Sequence, residues 1–463
     1  MRLRQSLSVL IVVVSLALVV LMVIVVFLAL VVLLILVVLL ALAIVVIVIE
    51  IHNGHLLKTQ CKYSLLLFRK TIHDIKIRRE NNMLLIQNGL LYTMEDKFPI
   101  QADLLIKDGK IQKIQKNITP GDGMKIYNAE GMKVFPGFID AHSHIGIAEE
   151  KTTVQTDTSN EGTTPVTPYL RAIDTINPMD SAFHNAVAAG ITGAMAGPGS
   201  ANPVGGQFAF IKTDGRRIDD MIVLAPSAIK IAFGENPMNN YGINGNTPST
   251  RMSVASVIRE ELFRAREYFE NDKNGEGEKT FNLECYRDLF DKKIPLKAHV
   301  HRADDIFTAI RIAKEFDLDL TLDHCTEGHL IADEIAESGF PAIVGPNLAS
   351  RSKKEVSQSD FKTAGILKKA GVTVALTTDH PVSRIQHLPI CAAMAAKEGL
   401  GEENALRAIT VDAARICRVD NRLGSLKEGK DADIVILDGS PLLISSSVCA
   451  TIINGKIVWE REQ

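Results

Sequence analysis

His142 and His144 stand two residues apart in FPGFIDAHSH, at the end of an apolar run. On an extended strand, residues i and i+2 share a face, so two imidazoles meet there. A buried pair of histidines without a partner is costly, and a divalent cation is the usual resolution. A bare His-X-His also occurs in polar loops, so the pair alone decides little. Three further residues change the weight: His299 lies at the end of LKAHVH, His324 closes LTLDH and Asp379 closes VALTTD, each after an apolar run. Nitrogen and oxygen donors without thiolate suit Zn²⁺ and leave Mn²⁺, Fe²⁺ or Co²⁺ open. A divalent ion lowers the pKa of bound water from 15.7 toward about 7 and polarises a carbonyl. A carboxylate beside such an ion, here Asp379, is a candidate to take the proton the water loses.

Around this set stand weaker candidates. Lys230 is a charge inside the apolar run SAIKIAFG and asks for a partner, in the simplest case a carboxylate at the rim. His301, two past His299, shares its direction and is a candidate for substrate contact or oxyanion stabilisation, or else a solvated histidine. His329 and His380 carry less signal. The loop GPGSANPVGG at 197–206, ending on Gly205 and Gly206, is rich in backbone N–H groups that could hold a substrate carboxylate, although a tight turn reads the same way. Arg302, Arg351 and Arg384 could clamp a carboxylate through two bonds. Asp140 precedes the histidine pair and is expected to face away, as a supporting group.

These residues need elements that bring them together. From residue 134 onward, strand-like runs alternate with amphipathic stretches. Eight strand candidates fall at 134–141, 191–196, 221–224, 228–233, 296–300, 318–322, 341–344 and 372–377, with helices between several of them, including 254–271, 303–316, 331–338 and 361–370. Eight such units match the size of a (β/α)8 TIM barrel, whose active site lies at the C-terminal strand ends. Residues 83–134 and 424–463 instead give short alternating segments broken by Asn88-Gly89, Asp108-Gly109, Asp438-Gly439 and Asn454-Gly455, the pattern of hairpins. The expected fold is an α/β barrel at 135–423 with a small β-sandwich domain built from both ends, 83–134 and 424–463.

At this point the chain resembles the amidohydrolase superfamily of metal-dependent hydrolases, over about residues 83–463. The carriers are PGFIDAHSH at 136–144, KAHVHRADD at 297–305, LDHCTEGH at 322–329, TTD at 377–379 and GSLKEGKDADIVILDG at 424–439. Within the superfamily it is most similar to relatives of imidazolonepropionase and to barrel peptidases acting on Xaa-Pro or similar dipeptides, although HVHRADD stands where imidazolonepropionase is expected to carry HADE. The resemblance implies that His142 and His144 bind a first metal, that His299 and His324 bind a second or position water, and that Asp379 ligates the first. It also implies a carboxylated Lys230 bridging two ions, the alternative being one zinc held by His142, His144, Asp379 and His299. The implied activity is hydrolysis of a carbon–nitrogen bond other than an ordinary peptide bond, in a cyclic amide, an aminoacyl derivative or a dipeptide. The competing reading is a catalytically silent scaffold or assembly protein; such relatives lose metal ligands, and here every expected position is filled.

Composition sets the outer limits. The 463 residues carry 51 Lys/Arg and 54 Asp/Glu. Residues 1–82 hold nine basic and three acidic groups, so the other 381 carry 42 and 51, a net charge of −9. So acidic a body does not gather phosphate backbones, which argues against nucleic acid as partner; self-association into a homo-oligomer stays open. Residues 9–49 are apolar except Ser15, about twice the length of one membrane span and too long for a signal-peptide core. Two expectations follow for residues 1–82: a helix-forming membrane anchor, or an extension foreign to the native enzyme with Met83 as its start. Seven Lys/Arg between Lys58 and Arg79 would keep the catalytic body on the cytoplasmic side of such an anchor. Six scattered cysteines without a Cys-X-X-Cys pair fit a reducing compartment.

Overall fold

The computed structural model describes residues 83–150, 157–243, 245–273 and 278–462. The apolar tract and the basic stretch after it lie outside these residues. Among the described residues no helix is long and apolar enough to cross a membrane.

Two eight-stranded sheets organise the chain. The first takes β1 (Met83–Leu91), β2 (Ile100–Lys107), β3 (Lys110–Gln115), β4 (Lys125–Asn128) and β5 (Lys133–Pro136) from one end of the body. The second runs in chain order through β6 (Phe138–Ser143), β7 (Ile191–Ala196), β8 (Val204–Lys212), β9 (Ile222–Ala232), β10 (Leu296–Val300), β11 (Leu320–His324), β12 (Ala342–Val344) and β13 (Val374–Leu376). The other end of the body returns β14 (Ile434–Leu437), β15 (Val448–Ile453) and β16 (Lys456–Glu460) to the first sheet.

The second sheet is a nearly closed barrel. Its edge strands β6 and β13 share no ladder, yet His144 N–H donates to His380 O at 2.9 Å, and the Asp140 carboxylate of β6 accepts from Thr377 Oγ1 at 2.7 Å and Thr378 Oγ1 at 2.5 Å just beyond β13. The expected all-parallel order needs correction at one strand. The candidates at 221–224 and 228–233 fall, but for Met221 and Phe233, on the single strand β9, and the missing eighth strand is β8, which pairs antiparallel to both neighbours. Only residues 197–203 connect β7 to β8, and parallel strands need a crossover of about a dozen residues or more; so short a link must reverse the chain. All other pairs in this sheet are parallel.

Helices cover the barrel where their apolar stripes permit. Ala303–Glu315 buries Ile306, Ala309, Ile310 and Ala313 at helical spacing, with Asp304 and Asp305 in its first turn and Lys314 in its last, each sign matched to the helix dipole. In the first sheet, β5 pairs β1 on one side and β14 on the other, so hydrogen bonding gives one continuous sheet where two stacked sheets were expected. Its hairpins turn on Asp108-Gly109 and Asn454-Gly455, all four at positive φ as such two-residue turns require. Lys212 at the end of β8 ties the two sheets together, its Nζ donating to Asp433 Oδ2 at 2.7 Å and Asp431 Oδ2 at 3.1 Å.

Candidate metal centre

His142 near the end of β6, His144 just beyond it and Asp379 beyond β13 form one group, each offering a donor atom within 4.8 Å of the others'. His299 in β10, His301 just past it and His324 at the end of β11 form a second group by the same measure. The His142 and His324 rings, 5.0 Å apart between centroids, join the two. Three rings are oriented through the nitrogen that faces away. His144 Nδ1 donates to Gly197 O at 2.7 Å and His324 Nδ1 to Gly345 O at 2.8 Å, while His301 Nδ1 pairs with Thr326 Oγ1 at 2.7 Å. Their Nε2 atoms remain for a ligand, the arrangement metal-binding histidines use. His144 Nε2 is 3.2 Å from Asp379 Oδ1 and His142 Nε2 is 3.5 Å from it.

The electrostatics suit a cation. Burial, then the neighbouring lysines Lys230 and Lys297, holds His142 well below the usual histidine range. Burial does the same to His299 and His301, with His324 adding to it. Neutral imidazole is the metal-binding form. Burial pushes the Asp379 carboxyl up, but the neighbouring His324 and His144 outweigh it, so the net shift is downward and it stays ionised. Among the described residues, buried Asp379 Oδ1 in the first group and His299 Nε2 in the second have no hydrogen-bond partner, and orphaned ligand atoms of this kind are what a metal satisfies. His324 and Asp379 also sit at φ of 72° and 52°, left-handed backbone that costs a non-glycine residue of order 1–3 kcal/mol and gathers at functional sites.

Two lysines, Lys230 of β9 and Lys297 of β10, lie in register on adjacent strands, both fully buried. Lys297 Nζ donates to Ala141 O at 3.0 Å and to Asp323 Oδ1 at 3.2 Å. Asp323 Oδ2 in turn stands 2.9 Å from His142 Nδ1, off the ring N–H direction, so the contact is electrostatic rather than an aligned hydrogen bond. Lys230 has no such carboxylate within salt-bridge reach among the described residues; its Nζ is 3.5 Å from His142 Nε2 and rests over the Phe208 ring. Burial lowers its pKa to about 8.

A cavity of about 320 Å³ opens on His144, His299, His301 and Asp379, and Lys353 is the one Lys or Arg lining it among the described residues. Several sequence candidates lie elsewhere. Gly205 and Gly206 belong to buried β8 rather than to an open loop; a Cβ on Gly205 would stand 3.1 Å from Lys230 Cβ, so this glycine makes room for the lysine. Arg302 pairs with Asp304 on the surface, Arg351 donates to Ser359 O, and Arg384 faces Glu150. None of the three lines the cavity. His329 is hydrogen-bonded away from the cavity, to Thr326 O in its own loop and to Thr363 Oγ1 of the helix Lys362–Lys369. Sequence reasoning missed Lys297, Asp323 and Glu355, a buried carboxylate beside His299 and His301.

Residues 133–458 match the Amidohydrolase family. A crystal structure of an amidohydrolase from Thermotoga maritima MSB8 superimposes with a TM-score of 0.79 at 41% identity, covering 82% of this chain and all of that one. The amidohydrolase tasK of Hapsidospora irregularis is 28% identical over 390 residues, 76% of this chain and 39% of that protein. A D-hydantoinase of Geobacillus stearothermophilus is 46% identical over 61 residues, 13% of this chain and 12% of that protein. The chain thus spans well under half the length of the tasK protein it matches.

Proposed function

The chain belongs to the amidohydrolase family, and on that premise we propose that it hydrolyses a C–N bond of a compact polar substrate, a cyclic amide, an aminoacyl derivative or a dipeptide, with Asp379 carrying the proton. The observation that carries this reading is the convergence of two donor groups, His142/His144/Asp379 and His299/His301/His324, on one cavity. The D-hydantoinase likeness favours a cyclic amide within that class.

His142, His144 and Asp379 would hold one divalent ion, zinc by donor type, and His299 with His324 a second. Such an ion, when bound, acidifies water and polarises the carbonyl under attack. The protein's own residues do the rest. Asp379 Oδ1, turned to His142 and His144, would be the oxygen that helps hold such an ion; Oδ2, on the His324 side, takes a proton from the attacking water as the C–O bond forms. As the C–N bond breaks, that proton passes to the leaving nitrogen. Lys230, with its lowered pKa and no carboxylate in salt-bridge reach among the described residues, supports the further proposal of a carbamate: the neutral amine adds CO2, releases one proton and becomes an anion that would compensate bound cations.

The test is turnover by the full chain on a panel of cyclic amides, N-acyl amino acids and dipeptides. Asp379→Asn is expected to lower kcat by about 10² to 10⁴ on whichever substrate responds, with an unchanged circular dichroism spectrum. Undiminished turnover in that variant rejects the proton role.

A further inference from the structure

Glu355 lies in a one-turn helix, Lys354–Val356, beyond β12, and its carboxylate is 1% exposed. Its position is built, not incidental. Oε2 accepts from Glu235 N at 2.7 Å, and Glu355 N–H donates back to Glu235 Oε1 at 3.1 Å. A Cβ on the preceding residue, Gly234, would stand 2.3 Å from Oε2, so only glycine leaves room for it there. The other oxygen, Oε1, is aimed at the second histidine group, 3.9 Å from His301 Nε2 and 4.0 Å from His299 Nε2. These gaps are too long for hydrogen bonds. Zinc holds nitrogen and oxygen donors at about 2.0–2.2 Å, so donors sharing one ion stand about 3 to 4 Å apart. Oε1 has one partner, the Lys353 ammonium at 2.6 Å, on a side chain 26% exposed at the cavity.

We propose that Glu355 and His301, with His299, complete a second cation subsite beside His142, His144 and Asp379, and that Lys353 holds the cation's place on Glu355 Oε1 until an ion enters. The inference rests on the metal-dependent reading above and extends it to two residues that reading leaves without a ligand role. An ion reaching Oε1 displaces the ammonium, so Lys353 competes with the second ion and not with the first.

The full chain, stripped with a chelator, is titrated with ZnCl2 by calorimetry and with CoCl2 by visible absorption. Two ions are expected per wild-type chain. Glu355→Gln keeps an acceptor for Glu235 N, and His301→Asn changes a side chain at the cavity wall; each should weaken the second ion by at least about tenfold and spare the first. Lys353→Met should tighten the second ion. Unchanged second-ion affinity in Glu355→Gln overturns the proposal, and so does a Lys353→Met variant that moves in the same direction as Glu355→Gln, since Glu355 would then serve only to fix Lys353. If Glu355→Gln does not fold, His301→Asn decides alone. A wild-type chain with a single ion indifferent to both substitutions overturns this inference while leaving the hydrolase reading intact; a chain that binds no ion removes both.

Discussion

The Lys297–Asp323 pair offers a measurement that separates fold from site. Both side chains are fully buried in the barrel, joined at 3.2 Å, and Asp323 is the only carboxylate against His142 Nδ1 among the described residues. Lys297→Met leaves the Asp323 charge with Thr321 Oγ1 and His142 alone; breaking one side of such a buried pair costs about 3–5 kcal/mol. Asp323→Asn should cost a similar amount, because the Lys297 ammonium keeps only Ala141 O at full strength. Removing both charges together strands neither, so the double variant should be less destabilised than the sum of the singles by about 2–3 kcal/mol. Urea unfolding of the chelator-treated full chain reads these values without a metal's contribution. Zinc affinity is the second readout: Asp323→Asn should weaken the ion at His142 by about 10- to 100-fold, as loss of an outer partner does. Additive single effects, with coupling below about 0.5 kcal/mol, together with unchanged zinc affinity, would refute the role assigned to the pair.

Two other substitutions probe the neighbouring lysine. Lys230, ordinarily at 10.5 and lowered to about 8 by burial, stays protonated in both folded and unfolded chains below pH 8, so the metal-free, CO2-free fold carries the whole cost of its burial there, about 3 kcal/mol. Between about pH 8 and 10.5 the unfolded chain holds a proton the folded chain has lost, and stability should rise with pH; Lys230→Met should remove that rise and be more stable at pH 7, and urea unfolding that gives wild type and variant the same slope counts against it. Gly205→Ala brings a Cβ within 3.1 Å of Lys230 Cβ and 3.2 Å of its Cγ, overpacking that should cost about 1–3 kcal/mol in unfolding free energy; an unperturbed value would mean the lysine stem has other room.

The parts of the site legible in sequence are those that follow one local rule, a polar residue closing an apolar run. His142, His299 and His324 obey it, and Asp379 follows it three residues beyond β13. Asp323 was hidden by the same rule: in a strand its side chain and that of His324 should face opposite ways, yet both reach His142, because His324 turns to positive φ and breaks the alternation. Lys297 carried the same signal as Lys230, a charge inside an apolar run. Glu355 had no local signal; in RSKKEV it reads as a solvated turn, and only contact with Gly234 and Glu235, 120 residues earlier, buries it. The arginines failed for the opposite reason. Arg302 spends its fork on Asp304, two residues away. In the fold, β8 escaped because Gly205, Gly206 and Gln207 interrupt its apolar pattern, and an antiparallel member was not expected among parallel ones.

The charges inside the barrel tie the number of ions to the state of Lys230. Asp323 and Lys297 offset each other, and Glu355 is offset by Lys353. With Asp140 held by Thr377 and Thr378, that leaves, among the described residues at the centre, Asp379 as the anion facing His142 and His144 and Lys230 as a cation without a carboxylate in salt-bridge reach, its Nζ 3.5 Å from His142 Nε2. One divalent ion bound beside Asp379 would stand near a like charge, and in a low-dielectric interior that repulsion is poorly screened. Loss of the Lys230 proton removes the repulsion; addition of CO2, as proposed, reverses its sign. Glu355 provides a second compensating anion only when Lys353 lets go, so a two-ion state draws on two separate releases of lysine charge, at Lys230 on β9 and at Lys353 on the cavity rim. Both ions should therefore respond to CO2 through Lys230, whereas only the second should respond to the rim, and the first depends besides on the Asp323–His142 contact from β11.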